Sequence, residues 1–323
     1  MIGTSHMQPV TVLICTANNG DLIGRSLRSV LANTYPNFRV IVVDQSVDDR
    51  TGEAVRSLLP DERLHYIRDP QRAGKGAALN LGLAETDDEI VVCTDDDCVV
   101  PADWLERVSA IFEREGAALV FGSVEAAPHD PALGFIPAHS PARDGYLDRR
   151  VRRAPDGMGA CMAFRRSAIE TLGGFDPAFG PGSEFRSGDD RDIALRALIA
   201  GLPVYETTEV TVTHYGFRRH REGRQHARRA WHGMGGMCAK LLKTGHWRIA
   251  FVAFDLFVIR AMWPVIAQAL RLRRPAGLTR MTSFAGGFAR GLRTPVRRDA
   301  LIFDTPADRY RSEAFRAEDR ARS

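Results

Sequence analysis

The sequence predicts an α/β fold: a mainly parallel, Rossmann-like sheet with helices on both faces. Three observations carry this. Short runs rich in Val and Ile alternate with amphipathic stretches over the first hundred residues. The runs are almost wholly apolar, as buried strands are. The chemistry-bearing polar residues cluster at strand ends and in the loops beside helices, where open α/β sheets bind ligands.

The elements follow in order. Residues 10–15 read as a strand, and 21–32 as a helix with Leu22, Ile23, Leu27, Val30 and Leu31 apolar. Residues 39–43 give a second strand, 51–59 a short helix and 64–67 a third strand. A helix over 76–84 carries Ala77, Leu79, Leu81 and Leu83, and the strand 90–94 runs into Asp95, Asp96 and Asp97. A helix is predicted at 104–115 and a strand at 118–126. Residues 128–155, rich in Pro, Asp and Arg, predict a long mobile loop, a length that usually marks function or disorder. A strand at 158–164, a helix at 192–200 closed by Gly201, and a last strand at 210–213 ending on His214 complete this part.

The character changes after Phe217. Residues 218–243 are basic and mostly helical. Residues 249–270 are apolar and aromatic, interrupted by Asp255, Arg260 and Pro264, and followed by Arg271, Arg273 and Arg274. A charge near a bilayer centre is costly, so an interfacial helix pair fits better than a simple span. Packing of 249–270 as ordinary core is the alternative. The boundaries expected are 1–7, 8–216, 217–300 and a polar, disordered tail at 301–323.

With 26% charged and 44% hydrophobic residues, the composition is that of a globular protein. Cys15, Cys93, Cys98, Cys161 and Cys238 show no CxxC spacing, which points to buried thiols in a reducing compartment and away from a disulfide framework. Residues 1–7 look like an expression scar with the native start at Met7. No signal peptide follows, so a cytosol-facing protein is expected. The net charge of +4 is uneven: residues 215–323 hold 23 Lys+Arg and 8 Asp+Glu, a net of +15, which leaves −11 on the first 214. An acidic front and a basic back suggest a metal-and-substrate domain held on an anionic surface.

Asp95, Asp96 and Asp97 repel one another unless a cation sits among them. Hard oxygen ligands suit Mg²⁺ or Mn²⁺, ions that usually also hold substrate phosphates. A solvated acidic turn capping the helix near Pro101 is the alternative. Thr16, Asn18 and Asn19 follow strand one. Asp44 closes strand two, a position suited to a base or ribose edge. Gly74 and Gly76 allow close backbone approach, and Arg72 and Lys75 suit phosphate, or are simply solvated. Neither a Walker A loop nor a Gly-x-Gly-x-x-Gly is present. Asp189 and Asp190 open a helix. They either serve its dipole or supply a general base. His214 is a lone strand-end histidine.

Taken together, Cys15-Thr-Ala-Asn18, Val42-Val-Asp44-Gln-Ser46, the segment from Arg72 to Gly76 with Asn80 beyond, Thr94-Asp-Asp-Asp97, Gly173-Gly-Phe-Asp176, Gly188-Asp-Asp190 before Asp192, and His214 resemble family 2 of the inverting glycosyltransferases. The resemblance runs from about Val10 to Gly216 and implies the GT-A nucleotide-diphospho-sugar transferase fold, with a nucleotide half at 8–100 and an acceptor half at 101–216. It implies that Asp95 and Asp97 bind the metal and the donor ribose-diphosphate, with His214 completing the metal shell and Asp96 among the residues that bind the nucleotide-sugar. It implies that Asp44 and the first loop hold the nucleoside, and that Asp190 is the base. Asp189 stands where the family usually has Glu, which leaves the choice between Asp189 and Asp190 open.

The expected activity is therefore metal-assisted transfer from a nucleotide-diphosphate sugar, UDP-sugar favoured, to a glycan or lipid-linked acceptor. Cell-envelope or exopolysaccharide synthesis is the expected setting, on the cytoplasmic face of an anionic membrane. A silent nucleotide-sugar binder and a nucleic-acid binder using the basic tail are the rivals. The second is disfavoured, because residues 249–259 are more apolar than a nucleic-acid surface needs.

Overall fold

Strand and helix alternate from the start: β1 (Val10–Thr16), α1 (Gly20–Leu31), β2 (Phe38–Asp44), α2 (Arg50–Arg56), β3 (Leu64–Arg68), α3 (Lys75–Ala84) and β4 (Ile90–Asp95). These come from a computed structural model, which describes residues 7–71, 74–271 and 277–305. The four strands lie parallel in the order β3-β2-β1-β4. A two-residue strand β5 (Cys98–Val99), helix α4 (Trp104–Glu115) and β6 (Leu119–Ala126) follow. Then come β7 (Gly134–Phe135), β8 (Gly145–Tyr146), β9 (Cys161–Arg165), α5 (Arg166–Thr171), α6 (Asp189–Ile199) and β10 (Val204–His214). Strand β9 lies antiparallel between β4 and β6, and β10 is parallel to β6 with a register shift between Glu206 and Thr211. The fold is the GT-A-like mixed α/β fold that the resemblance implied.

The period of two along each strand divides the core into two layers. Leu13, Ile41, Val43, Val91 and Cys93 face a layer that includes α3 and α6. Val12, Ile14, Val40, Val42 and Val92 face the layer of α1, α2 and α4. Helix α1 shows why the pattern was legible: Ile23, Leu27 and Val30 recur at three and four residues and are buried.

The 128–155 segment differs from its prediction as a mobile loop. Strand β8 pairs with β10, β7 pairs with β11 (Arg218–Arg219), and His139 and Val124 exchange backbone hydrogen bonds. Val151 and Ala154 enter the core. The sheet edge meets the segment's backbone hydrogen-bonding demand, which its Pro- and Arg-rich composition does not reveal.

The basic region is welded to this body. Helix α7 (His220–Lys243) places Trp231, Met234, Met237, Cys238 and Leu241 in the α6-side core. Helix α8 (Ile249–Leu270) is continuous, with π-helical turns over Asp255–Met262. Helix α9 (Leu278–Arg293) crosses α7 at backbone contact: a Cβ on Gly287 would lie 1.9 Å from the His232 carbonyl oxygen, and one on Gly235 2.1 Å from that of Phe284. A hairpin of β12 (Val296–Arg297) and β13 (Ile302–Phe303) closes the described chain. Ile302 and Phe303 are buried, which corrects the expected disorder for 301–305. The rest of that tail, 306–323, lies outside the described residues, as do residues 1–6.

Candidate active site

A cleft of about 640 Å³ opens at the carboxyl ends of β1 and β4. Thr16, Asn18, Asn19, Gln45, Lys75, Asp95, Asp96, Asp97, Asp190 and His214 all line it. Register explains part of this gathering. Cys15 pairs with Asp95 across β1 and β4, so the first loop and the aspartate run leave the sheet side by side.

The three aspartates have three different partners. Asp95 forms an ion pair with Lys75, the first residue of α3. Burial works against the Lys75 ammonium, yet Asp95 and Asp189 hold its pKa well above the ordinary value. Asp96 accepts Thr16 Oγ1 at 2.5 Å and Asn19 Nδ2 at 2.8 Å, which locks the first loop. Burial pushes its carboxyl up to about 7, against the pull of Thr16.

Asp97 meets His214 because β5 turns back and pairs antiparallel with the end of β10, Cys98 beside His214. Asp97 Oδ2 lies 3.2 Å from His214 Nε2, and His214 Nδ1 lies 2.8 Å from the Pro137 carbonyl oxygen. A carbonyl can only accept, so Nδ1 carries a proton. In the neutral ring Nε2 would then point a lone pair at a carboxylate, an arrangement that requires a proton or a cation between them. Without a cation the proton is favoured. Burial opposes the imidazolium, but Asp97 raises the His214 pKa above its usual range.

This pair fits a divalent ion. A Cβ built on Gly216 would sit 2.5 Å from both Asp97 Oδ2 and His214 Nε2, so the glycine leaves a space that both ligand atoms border. Cys98 is close enough to join them, but burial raises its thiol pKa far above neutrality, which makes it a poor ligand. The pairing differs in one respect from the expectation: Asp97 stands with His214, while Asp95 is held by Lys75.

The acidic pair on α6 is divided. Asp190 lines the cleft, its Oδ2 accepting Gly159 N–H at 3.2 Å and its Oδ1 accepting Arg191 N–H at 2.7 Å. Asp189 lies behind it and is buried. Burial raises Asp189 to about 7, Lys75 opposing and Asp190 adding to the shift. Glycines make room here: Cβ atoms on Gly159 and Gly180 would each come within 4.0 Å of both Lys75 and Asp189.

Asp44 is not brought to the cleft surface. Its carboxylate is fully buried, accepting Ser46 N–H at 2.8 Å and Tyr66 Oη–H at 2.6 Å. A strand-end carboxylate satisfied by its own turn shapes the loop and does not meet a nucleoside in this conformation. Asn18 takes φ +58°, tolerable for Asn, and ties the same loop by accepting Val47 N–H on Oδ1. Arg72 lies outside the described residues.

Residues 11–173, just over half of the chain, match the model of glycosyl transferase family 2. The chain belongs to this family. As a family 2 glycosyltransferase it is 32% identical over 125 residues to glycosyltransferase AglE of Haloferax volcanii, a match covering 38% of this chain and 41% of that protein. It is 24% identical over 135 residues to the poly-β-1,6-N-acetyl-D-glucosamine synthase of Staphylococcus aureus, covering 42% of this chain and 29% of the synthase. The matches thus span less than half of these curated relatives. Among solved structures, the mannosyltransferase PcManGT from Pyrobaculum calidifontis, in complex with GDP-Man and Mn²⁺, superposes with a TM-score of 0.60 at 24% identity over 89% of this chain and 88% of that one. Staphylococcus aureus TarS 1–349 does so at 0.59 and 14%, covering 91% and 83%. Both likenesses are of fold.

Sequence reasoning gave no site role to several residues of the transferase cleft: His139, Asp156, Arg191, Arg218 and His226. Arg218 and His226 touch each other, and burial with the charge of Arg218 pushes His226 down to about 4, leaving it neutral. These two sit in a run of basic residues that read only as helix surface. Arg191 was within reach, since it follows Asp190 directly.

Proposed function

We propose that this transferase moves a sugar from a nucleotide-diphosphate donor to an acceptor hydroxyl by single displacement, inverting the anomeric carbon. The observation that carries the reading is that Asp190 and the Asp97–His214 pair share one cleft. Asp190 takes the acceptor proton while the hydroxyl oxygen attacks the anomeric carbon. The bond to the diphosphate breaks, and its electron pair leaves on the diphosphate oxygen. Each Asp190 oxygen accepts one backbone N–H, so the carboxylate is oriented yet keeps lone pairs for that proton.

Asp97 and His214, with Asp95 adjacent, would hold Mn²⁺ or Mg²⁺, which supplies positive charge to the departing diphosphate. Thr16 and Asn18, fixed through Asp96 and Ser46, form the nucleoside end. Lys75 holds Asp95 in place. Asp189 stays behind Asp190 and tunes it.

The name of the synthase supports a role in polysaccharide synthesis; a glycan or lipid-linked acceptor is the reading we propose to test. UDP-sugars are the first donors to test, with GDP-sugars alongside. The experiment measures nucleoside diphosphate released from each donor, with chelator and with Mn²⁺ or Mg²⁺ restored. Metal-dependent release with inverted product supports the reading. Full release in excess chelator removes the metal from it, and a retained configuration removes single displacement.

A further inference from the structure

Helix α8 is committed to the protein on one side only. Ile249, Val252, Leu256 and Ala261 are buried, and Phe257 packs on Phe284 with ring centroids 5.5 Å apart. On the other side Phe251, Phe254, Ile259, Trp263, Ile266 and Leu270 are exposed, Phe254 by 56% and Trp263 by 58%. Spacings of three and four residues, with one of five across the π-helical turns, put them in one stripe. Trp247 and Leu278 are also exposed at its margins; a Cβ built on Gly277, just before α9, would lie 3.4 Å from Val265. Large contiguous apolar patches on a soluble surface mark interaction sites.

We propose that this stripe docks on an anionic lipid bilayer and lies in its interface. Charge complementarity chooses the occupant: Arg248, Arg271 and Arg280 are exposed around the stripe, and residues 215–323 carry a net of +15. The exposed tryptophans favour headgroup depth. A second copy of the chain is disfavoured, because a two-fold contact would set these arginine rims against each other.

The helix is 22 residues long and holds an 18-residue stretch of mean hydropathy 2.0, enough to cross a bilayer. Its inner face, however, belongs to the core, and Arg260 pairs with Asp255 at 2.8 Å and Asp156 at 3.0 Å. A span would strip these contacts. Asp156 lines the cleft and approaches Arg191 at 3.6 Å, so α8 is tied to the wall that carries Asp190. Resting on the function proposed above, an acceptor borne on a membrane lipid would meet that wall.

The test is sedimentation of the full chain with vesicles of phosphatidylcholine alone or mixed with phosphatidylglycerol, at low and high salt, alongside donor hydrolysis. The expected result is capture by the phosphatidylglycerol vesicles, weakened by salt. Joint Phe254→Ser and Trp263→Ser should lower the partition about tenfold or more. Joint Arg248→Glu and Arg271→Glu should weaken it with donor hydrolysis unchanged. Protein that stays in the supernatant at low salt overturns the proposal. So does capture equal in the Ser variants, or a dimer by light scattering that those variants dissolve while vesicles capture nothing. Vesicle capture without donor hydrolysis would sink the enzymatic reading and leave the docking surface standing.

Discussion

Gly216 is the residue on which the metal assignment can be tested without touching a ligand. Its missing Cβ would fall 2.5 Å from both Asp97 Oδ2 and His214 Nε2. Gly216→Ala should therefore abolish Mn²⁺ binding, measured by titration calorimetry, while the melting temperature changes little. Unchanged Mn²⁺ affinity would place the ion elsewhere. Asp189 gives a pH prediction. Its carboxyl is raised to about 7 by burial, so it is neutral below that and ionised above. An ionised Asp189 adds negative charge beside the acceptor proton's destination, so turnover should rise as pH passes through about 7, and Asp189→Asn should flatten the rise. A rise that survives in Asp189→Asn would assign it to another group, Asp96 foremost. At this scale the sequence exposed the carboxylates and His214, because charged groups ending apolar strands have few structural excuses. It did not expose Gly216, Gly159 or the inward turn of Asp44, because these depend on which chain segments meet.

At the scale of elements, α6 is held by charges inside the protein. Lys240 of α7 is fully buried between Asp176 at 2.6 Å and Asp192 at 2.7 Å, and Arg196 pairs with Asp192 at 3.0 Å. Asp176 also accepts Phe303 N–H at 3.0 Å, so one network joins the first turn of α6, the Gly173–Asp176 loop, α7 and the closing hairpin. Removing one partner strands a buried charge, and Lys240→Met should cost about 3–5 kcal/mol, read from the denaturant midpoint. A cost below about 1 kcal/mol would mean that the aspartates find solvent or protons instead. Helix periods and strand runs were legible element by element. The network was not, since Lys240 reads as one more charge on a basic helix. Nor was the backbone contact of α7 with α9, which shows in the sequence only as scattered glycines.

For the whole molecule, a sheet covered by helices on both faces was readable from the alternation of apolar runs with amphipathic stretches, but the attachment of the last hundred residues was not. Their charge suggested a separate surface-binding part, whereas α7, α8 and β13 complete the α6-side core. Deleting residues 217–305 should accordingly leave a chain that aggregates, because Phe179 and Phe185 would lose the cover of Phe303 and α7. A soluble, cooperatively melting fragment would show that the front part folds alone. The most direct measurement is turnover of Asp190→Asn set beside its donor affinity, both with Mn²⁺ present. Base catalysis from the cleft wall predicts unchanged donor affinity with turnover lowered about 100-fold or more. Turnover within a few-fold of the native protein would contradict it.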